Sequence, residues 1–107
     1  MSDIKFTIRN LPPDVVFLTF ELNGIMEPTE LALINPPDVV TIGLSGKGVI
    51  LSGRGPIWLY GYLIHFYHPA KFVATHDPRF NGAIVVESHT PDIQIGDVVE
   101  IPKDIYV

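Results

Sequence analysis

The stretch from Ser52 to His89 constrains the fold most. Pro56 opens an apolar run that continues to Tyr67, and Pro69 stands just beyond it. Proline is favoured at the first helical position and stops a helix from outside, so the run predicts a helix over Pro56 to Tyr67. It is apolar nearly all round, which predicts cover on both sides. Two short apolar runs follow, Phe72 to Thr75 and Ala83 to Glu87, and read as buried strands. A helix that crosses between parallel strands covers one face of a sheet and makes a right-handed connection. Ligands of such folds sit at the carboxyl ends of strands and at helix amino termini.

The rest of the chain fits strands around this unit. Lys5 to Ile8 and Val15 to Leu22 read as strands divided by the Pro12-Pro13-Asp14 turn. Val16, Leu18, Phe20 and Leu22 alternate onto one face. Thr29 to Ile34 suggests one or two helical turns, and Val39 to Leu44 a short strand of the buried kind. After the Ser45-Gly46-Lys47-Gly48 turn, Val49 to Leu51 reads as a short hairpin partner, and Val98 to Ile101 as a final edge strand. The fold class expected is α/β: a small single domain over residues 1–107, with one principal helix at 56–67 and an edge of mixed strands.

Bulk properties exclude several functions. A 107-residue chain with 47% hydrophobic and 18% charged residues has ample core and little charged surface, so self-association is expected. A net charge of −5 argues against an extended duplex-binding face, which needs a basic stripe. It leaves room for a small phosphorylated ligand in a local basic pocket. There is no cysteine, hence no disulfide framework and no thiolate metal site. With no signal-like segment and no membrane-length apolar run, a soluble cytoplasmic protein is the expectation.

The chemistry-bearing residues gather in the same stretch, which holds all four histidines. In Ser52-Gly53-Arg54-Gly55-Pro56, glycines let backbone N–H groups approach a ligand, and Arg54 offers a bidentate phosphate donor. The lysine-hydroxyl pair of a Walker loop is missing, and a plain turn is the commoner explanation for such a segment. His68 ends the helix and Asp77 ends a strand. Histidine and carboxylate without thiol suit manganese, iron or zinc. Capping of the helix by His68 and of its own turn by Asp77 is the structural alternative. Arg79 faces the space of Asp77 as a phosphate donor or a surface ion pair. His65 lies three residues before His68 on nearly the same helical face, while His76 alternates to the face opposite Asp77. His89 is expected back at the rim of Asp77, and Ser88 reads as a ligand donor or a strand-end cap. The aromatics Trp58, Tyr60, Tyr62, Phe66 and Tyr67 fit core or dimer interface. A nucleophile elbow of the Gly-x-Ser-x-Gly kind does not occur.

Taken together, Ser-Gly-Arg-Gly-Pro-Ile-Trp-Leu-Tyr at 52–60, Tyr-His at 67–68, Asp-Pro-Arg at 77–79 and Gly-Ala-Ile-Val-Val-Glu-Ser-His at 82–89 resemble the third CRISPR-associated ring nuclease family. The resemblance covers the C-terminal two-thirds of the chain, roughly. It implies a Rossmann-like sheet akin to the CRISPR sensor domains, a homodimer, and a dimer of dimers around one cyclic tetra-adenylate. It implies manganese-dependent cleavage of that messenger to linear di-adenylate, which ends type III CRISPR signalling. An older description of the family is a manganese-dependent exonuclease that removes 3′ adenylates from RNA; binding without cleavage is a further alternative. By resemblance His68 and Asp77 are the catalytic and metal-binding pair, and Ser52, Gly53, Arg54, Arg79 and His89 contact the ligand. His68 is open to either role, metal ligand or general acid–base.

Overall fold

The computed structural model describes residues 3–38, 43 and 46–105. Its centre is a six-stranded sheet whose strands lie in chain order. Strands β1 (Asp3–Leu11) and β2 (Val15–Asn23) form an antiparallel pair. Strands β3 (Gly48–Gly53) and β4 (Phe72–Asp77) run parallel to β2. Strands β5 (Gly82–Ser88) and β6 (Val98–Glu100) then return antiparallel. The α/β class, the principal helix and the mixed edge are as expected.

Helix α1 spans Ile57–Phe66 and crosses from β3 to β4. Pro56 is its N-cap with an extended backbone rather than its first helical residue. The Pro56 carbonyl accepts the Leu59 N–H at 3.0 Å, so the proline still starts the helix. Leu59, Leu63 and Tyr67 bury one stripe of the helix against β2, β3 and β4. Each such leucine contributes about 1.5–3 kcal/mol of apolar burial. The other side is less covered than the composition suggests. Trp58, Tyr62 and Phe66 are half-buried, and Ile57 is 86% exposed.

The sheet separates two cores. On the α1 side, Val16, Leu18, Phe20, Val49, Leu51 and Val73 meet the helix. On the other side, Phe17, Ile50, Phe72, Ala74, Ala83 and Val85 pack with Ile101. This alternation explains why the run Val49-Ile50-Leu51 is wholly apolar: neighbours serve opposite cores. It also corrects the hairpin reading of Val49 to Leu51, which lies mid-sheet between two parallel neighbours. The strand read over Val39 to Leu44 falls, Gly43 apart, outside the described residues. Thr29 to Ile34 becomes a short 3-10 helix over Pro28–Ala32.

Candidate functional site

Because β2, β3 and β4 are parallel, the domain has two chemically different rims. Their carboxyl ends form one and their amino ends the other. Leu51 pairs with Thr75, so two residues onward Gly53 and Asp77 reach the carboxyl rim together.

At this rim the Ser52-Gly53-Arg54 turn is fixed by packing. A Cβ on Gly53 would lie 2.4 Å from the Phe20 carbonyl oxygen and 2.8 Å from its ring, so no larger residue fits. The Tyr60 hydroxyl donates to the Gly53 carbonyl at 2.6 Å and ties the turn to α1. Burial raises the Tyr60 pKa and keeps the hydroxyl protonated as a donor. Ser52 Oγ lies 2.8 Å from His76 Nδ1, and the His76 ring meets Phe17 edge-on at 6.0 Å. His76 thus faces away from α1, as strand alternation predicts. Burial lowers its pKa below the usual imidazole value, with Asp77 pulling the other way, so the ring is neutral at pH 7. Arg54 is exposed and has no ion-pair partner among the described residues.

Ser52, Gly53 and Arg54 form one end of a groove of about 980 Å³ along the uncovered face of β1 and β2. Lys5, Thr7, Thr19 and Glu21 line the remainder. Lys5 stands opposite Glu21 and Thr7 opposite Thr19 in the ladder, which makes this part of the sheet polar.

Asp77 and Arg79 form a closed unit on the same rim. The guanidinium donates through Nε to Oδ1 at 3.0 Å and through Nη2 to Oδ2 at 2.7 Å. The Arg79 backbone N–H also donates to Oδ1 at 3.0 Å, so Asp77 caps the following 3-10 turn. Hydrogen bonding from Arg79, reinforced by its charge, holds the Asp77 carboxyl below the usual carboxylate range. The Arg79 guanidinium carbon lies 5.8 Å from the Phe80 ring centroid. Exposed apolar residues follow each parallel strand here: Ile25, Ile57 and Phe80 are 86%, 86% and 56% exposed.

The amino rim carries His68, Glu87 and His89. The His68 N–H bonds to the His65 carbonyl at 3.2 Å, which places the residue in the turn after α1. Its Nδ1 lies 3.9 Å from Glu87 Oε2, and His89 Nε2 lies 3.7 Å from Glu87 Oε1. The two imidazole centroids are 5.4 Å apart. One ligand atom from each of the three residues falls within 4.8 Å of the others.

A β-bulge aims Glu87. Ala74 pairs with Val85, but Val73 pairs with Glu87, so Val86 is an extra residue. Without it Glu87 would stand opposite Phe72, facing the second core. With it Glu87 stands opposite Val73, on the α1 side where His68 lies. The Glu87 Oε1 atom is buried with no hydrogen-bond partner. Two imidazoles and one carboxylate are a donor set that manganese, iron or zinc accepts. The residues therefore fit the divalent cation that the motifs suggest.

The expected catalytic pair does not meet within a chain. At ~3.3 Å per residue, the four steps from Val73 to Asp77 separate the rims by about 13 Å. The placement of His89 also differs from expectation. β5 runs antiparallel to β4, so its end returns to the start of β4, where the His89 N–H bonds to the Lys71 carbonyl at 2.9 Å. Ser88 serves the strand end: its Oγ lies 2.6 Å from the Ile93 carbonyl and 3.0 Å from that of Thr90. His65 is exposed. Glu87 was missed by sequence reasoning, although Glu87-Ser88-His89 has the two-residue spacing that puts both outer side chains on one side of a strand. Among the described residues no helix is long and apolar enough to cross a membrane.

The sequence is 45% identical over 97 residues to an uncharacterized protein of Aquifex aeolicus (strain VF5), covering 91% of this chain and 87% of that one. The family profile described as CRISPR-associated protein (Cas_csx3) matches residues 19–100, a span that includes both rims. The chain belongs to this CRISPR-associated family.

Proposed function

We propose that the protein is a metal-dependent ring nuclease that cleaves cyclic tetra-adenylate to linear di-adenylate and so switches off type III CRISPR signalling. The observation that carries this reading is the separation of His68 from Asp77 on opposite rims of a CRISPR-associated domain. Each rim alone has half of what phosphodiester cleavage requires. The carboxyl rim offers Arg54 and Arg79 for phosphate oxygens and exposed Ile57 and Phe80 for bases. The amino rim offers imidazoles for proton transfer. Stacking the carboxyl rim of one dimer on the amino rim of another encloses a flat, symmetric ring between complementary groups.

A bound divalent cation, manganese in this reading, would neutralise charge on the phosphate oxygens. His68 binds that cation or protonates the leaving oxygen, and Asp77 approaches from the facing rim. Arg79 must then release Asp77 or carry it to the phosphate as a pair. Homodimers and a dimer of dimers around the ligand are part of the same proposal. Support comes from exposed Ile25, Ile57 and Phe80 on the carboxyl rim and from half-buried Trp58, Tyr62 and Phe66 on α1.

One observation favours a second reading, a module that binds the ring without cutting it: Arg79 occupies both Asp77 oxygens in the single chain. Incubation with Mn2+ and labelled cyclic tetra-adenylate decides between them. Nuclease action yields linear di-adenylate above a protein-free control. Tight binding with an intact ring after long incubation refutes the nuclease. A 3′-adenylated RNA in a parallel tube tests the exonuclease alternative, which requires that the linear RNA be shortened in preference to the ring.

A further inference from the structure

We propose that His68, Glu87 and His89 form a divalent-cation site complete within one chain, with two imidazoles and one carboxylate as ligands. This deepens the nuclease reading by placing its cation on the amino rim without Asp77. The site is built from this chain's own groups and is tested separately from ring cleavage.

Geometry comes first. The donors stand 3.7 and 3.9 Å apart across Glu87. Hydrogen-bonded charge pairs close to about 2.8 Å. Ligands bound at about 2.1 Å to a common metal sit roughly 3.0–3.4 Å from one another. The observed spacing therefore lies just outside a coordination sphere. Closing the two His–Glu pairs needs a contraction of about half an ångström, and the widest pair of ligand atoms, which lies within 4.8 Å, needs up to about 1.5 Å, both within reach of side-chain rotation. His68 and His89 have that freedom, with side chains 59% and 47% exposed.

Electrostatics point the same way. Glu87 Oε1 is buried and accepts no hydrogen bond. A buried acceptor in that state is costly unless something positive approaches it. Lys71 is the nearby candidate, since its carbonyl anchors His89, but its ammonium turns away to Asp14 at 3.2 Å. The backbone is an independent observation. The extra residue Val86 interrupts the ladder, and its effect is to turn Glu87 from an apolar core toward His68.

The ligand set specifies the cation class. Two imidazoles and a carboxylate suit transition ions such as iron and zinc, with manganese taken from the nuclease reading, whereas magnesium and calcium prefer oxygen throughout. Three protein ligands leave coordination positions on the solvent side for water or phosphate oxygens.

Titrating metal-free protein with Mn2+ alone, followed by electron paramagnetic resonance, tests the site. We expect binding of one ion per chain. Glu87→Gln and His89→Ala should each lower the association constant at least tenfold, while Asp77→Asn leaves it unchanged. A second measurement uses the unaltered protein. Substoichiometric Mn2+ should broaden the amide signals of His68, Glu87 and His89 first and most strongly, with the effect falling off toward Asp77 and Arg79 on the far rim. Absence of Mn2+ binding, wild-type affinity in a folded Glu87→Gln protein, or broadening centred on Asp77 would each overturn the proposal. Mn2+ binding at this triad without ring cleavage would count against the nuclease reading alone.

Discussion

One chemical change, glycine to alanine, should have opposite effects at two positions. At Gly53 the new Cβ would lie 2.4 Å from the Phe20 carbonyl oxygen and 2.8 and 2.9 Å from two carbons of its ring. That is about 1 Å inside a comfortable contact. The oxygen belongs to β2 backbone and cannot rotate away, so β2 and β3 must part where they are paired through Phe20 and Gly53. Overpacking of this kind costs about 1–3 kcal/mol. At Gly61, on the exposed side of α1, a Cβ meets nothing within 4 Å. There alanine gains about 0.5–1 kcal/mol of helix preference over glycine. In a domain of this size 1 kcal/mol moves Tm by roughly 4–8 °C. Gly53→Ala should therefore melt on the order of 10 °C lower and Gly61→Ala a few degrees higher. Thermal and urea unfolding by circular dichroism measure both, with unchanged m-values confirming that stability alone has moved. Gly53→Ala as stable as the parent would refute the close approach of β2 to the turn. Destabilisation by Gly61→Ala would mean that this side of α1 is covered by another copy.

The pH dependence follows from His76. Burial depresses its folded pKa below the unfolded value of 6.5, so the unfolded chain binds more protons between the two values. Stability from this group is full above about pH 6.5 and is lost as pH falls through the folded pKa. His76→Gln should remove that part of the pH slope; an unchanged slope between pH 7 and 5 would contradict the assignment. For Asp77, Arg79→Gln should return the depressed carboxyl titration toward 3.8, read by carbon NMR, and an unmoved titration would mean that Arg79 is not its cause. In ligand binding, Arg79→Ala should chiefly weaken affinity for cyclic tetra-adenylate, whereas Asp77→Ala spares affinity and removes turnover. The reverse pattern would exchange their roles.

Much of the architecture was legible because local signals carried it. Pro56 and Pro69 bracket α1, and alternation at Val16, Leu18 and Phe20 marks the α1 face of β2. What was not legible depends on long-range pairing. A run such as Val49 to Leu51 reads alike in a hairpin and between parallel strands, since only its neighbours distinguish the two. The side of His89 depends on β5 returning antiparallel to β4, and periodicity does not carry direction. Glu87 is the sharpest case. Its face is set by one extra residue in the ladder, Val86, and the pairing partner that exposes the extra residue lies on β4. The covering of α1 is met only in part within one chain. An apolar helix calls for contact on every side; within the single chain Leu59, Leu63 and Tyr67 are fully buried, and Trp58, Tyr60, Tyr62, Ile64 and Phe66 are only partly so.

Mixing two inactive proteins tests the division of the site most directly. His68→Ala lacks the imidazole of the amino rim and Asp77→Ala the carboxylate of the carboxyl rim. With Mn2+ and cyclic tetra-adenylate, each alone should be inactive and an equal mixture should recover part of the activity, because mixed assemblies bring one intact rim of each kind together. Wild-type rate should also rise more steeply than linearly with protein concentration while assembly limits it. Absence of rescue, with a rate strictly proportional to concentration, would show that each subunit carries a complete site and that the two rims do not meet across an interface.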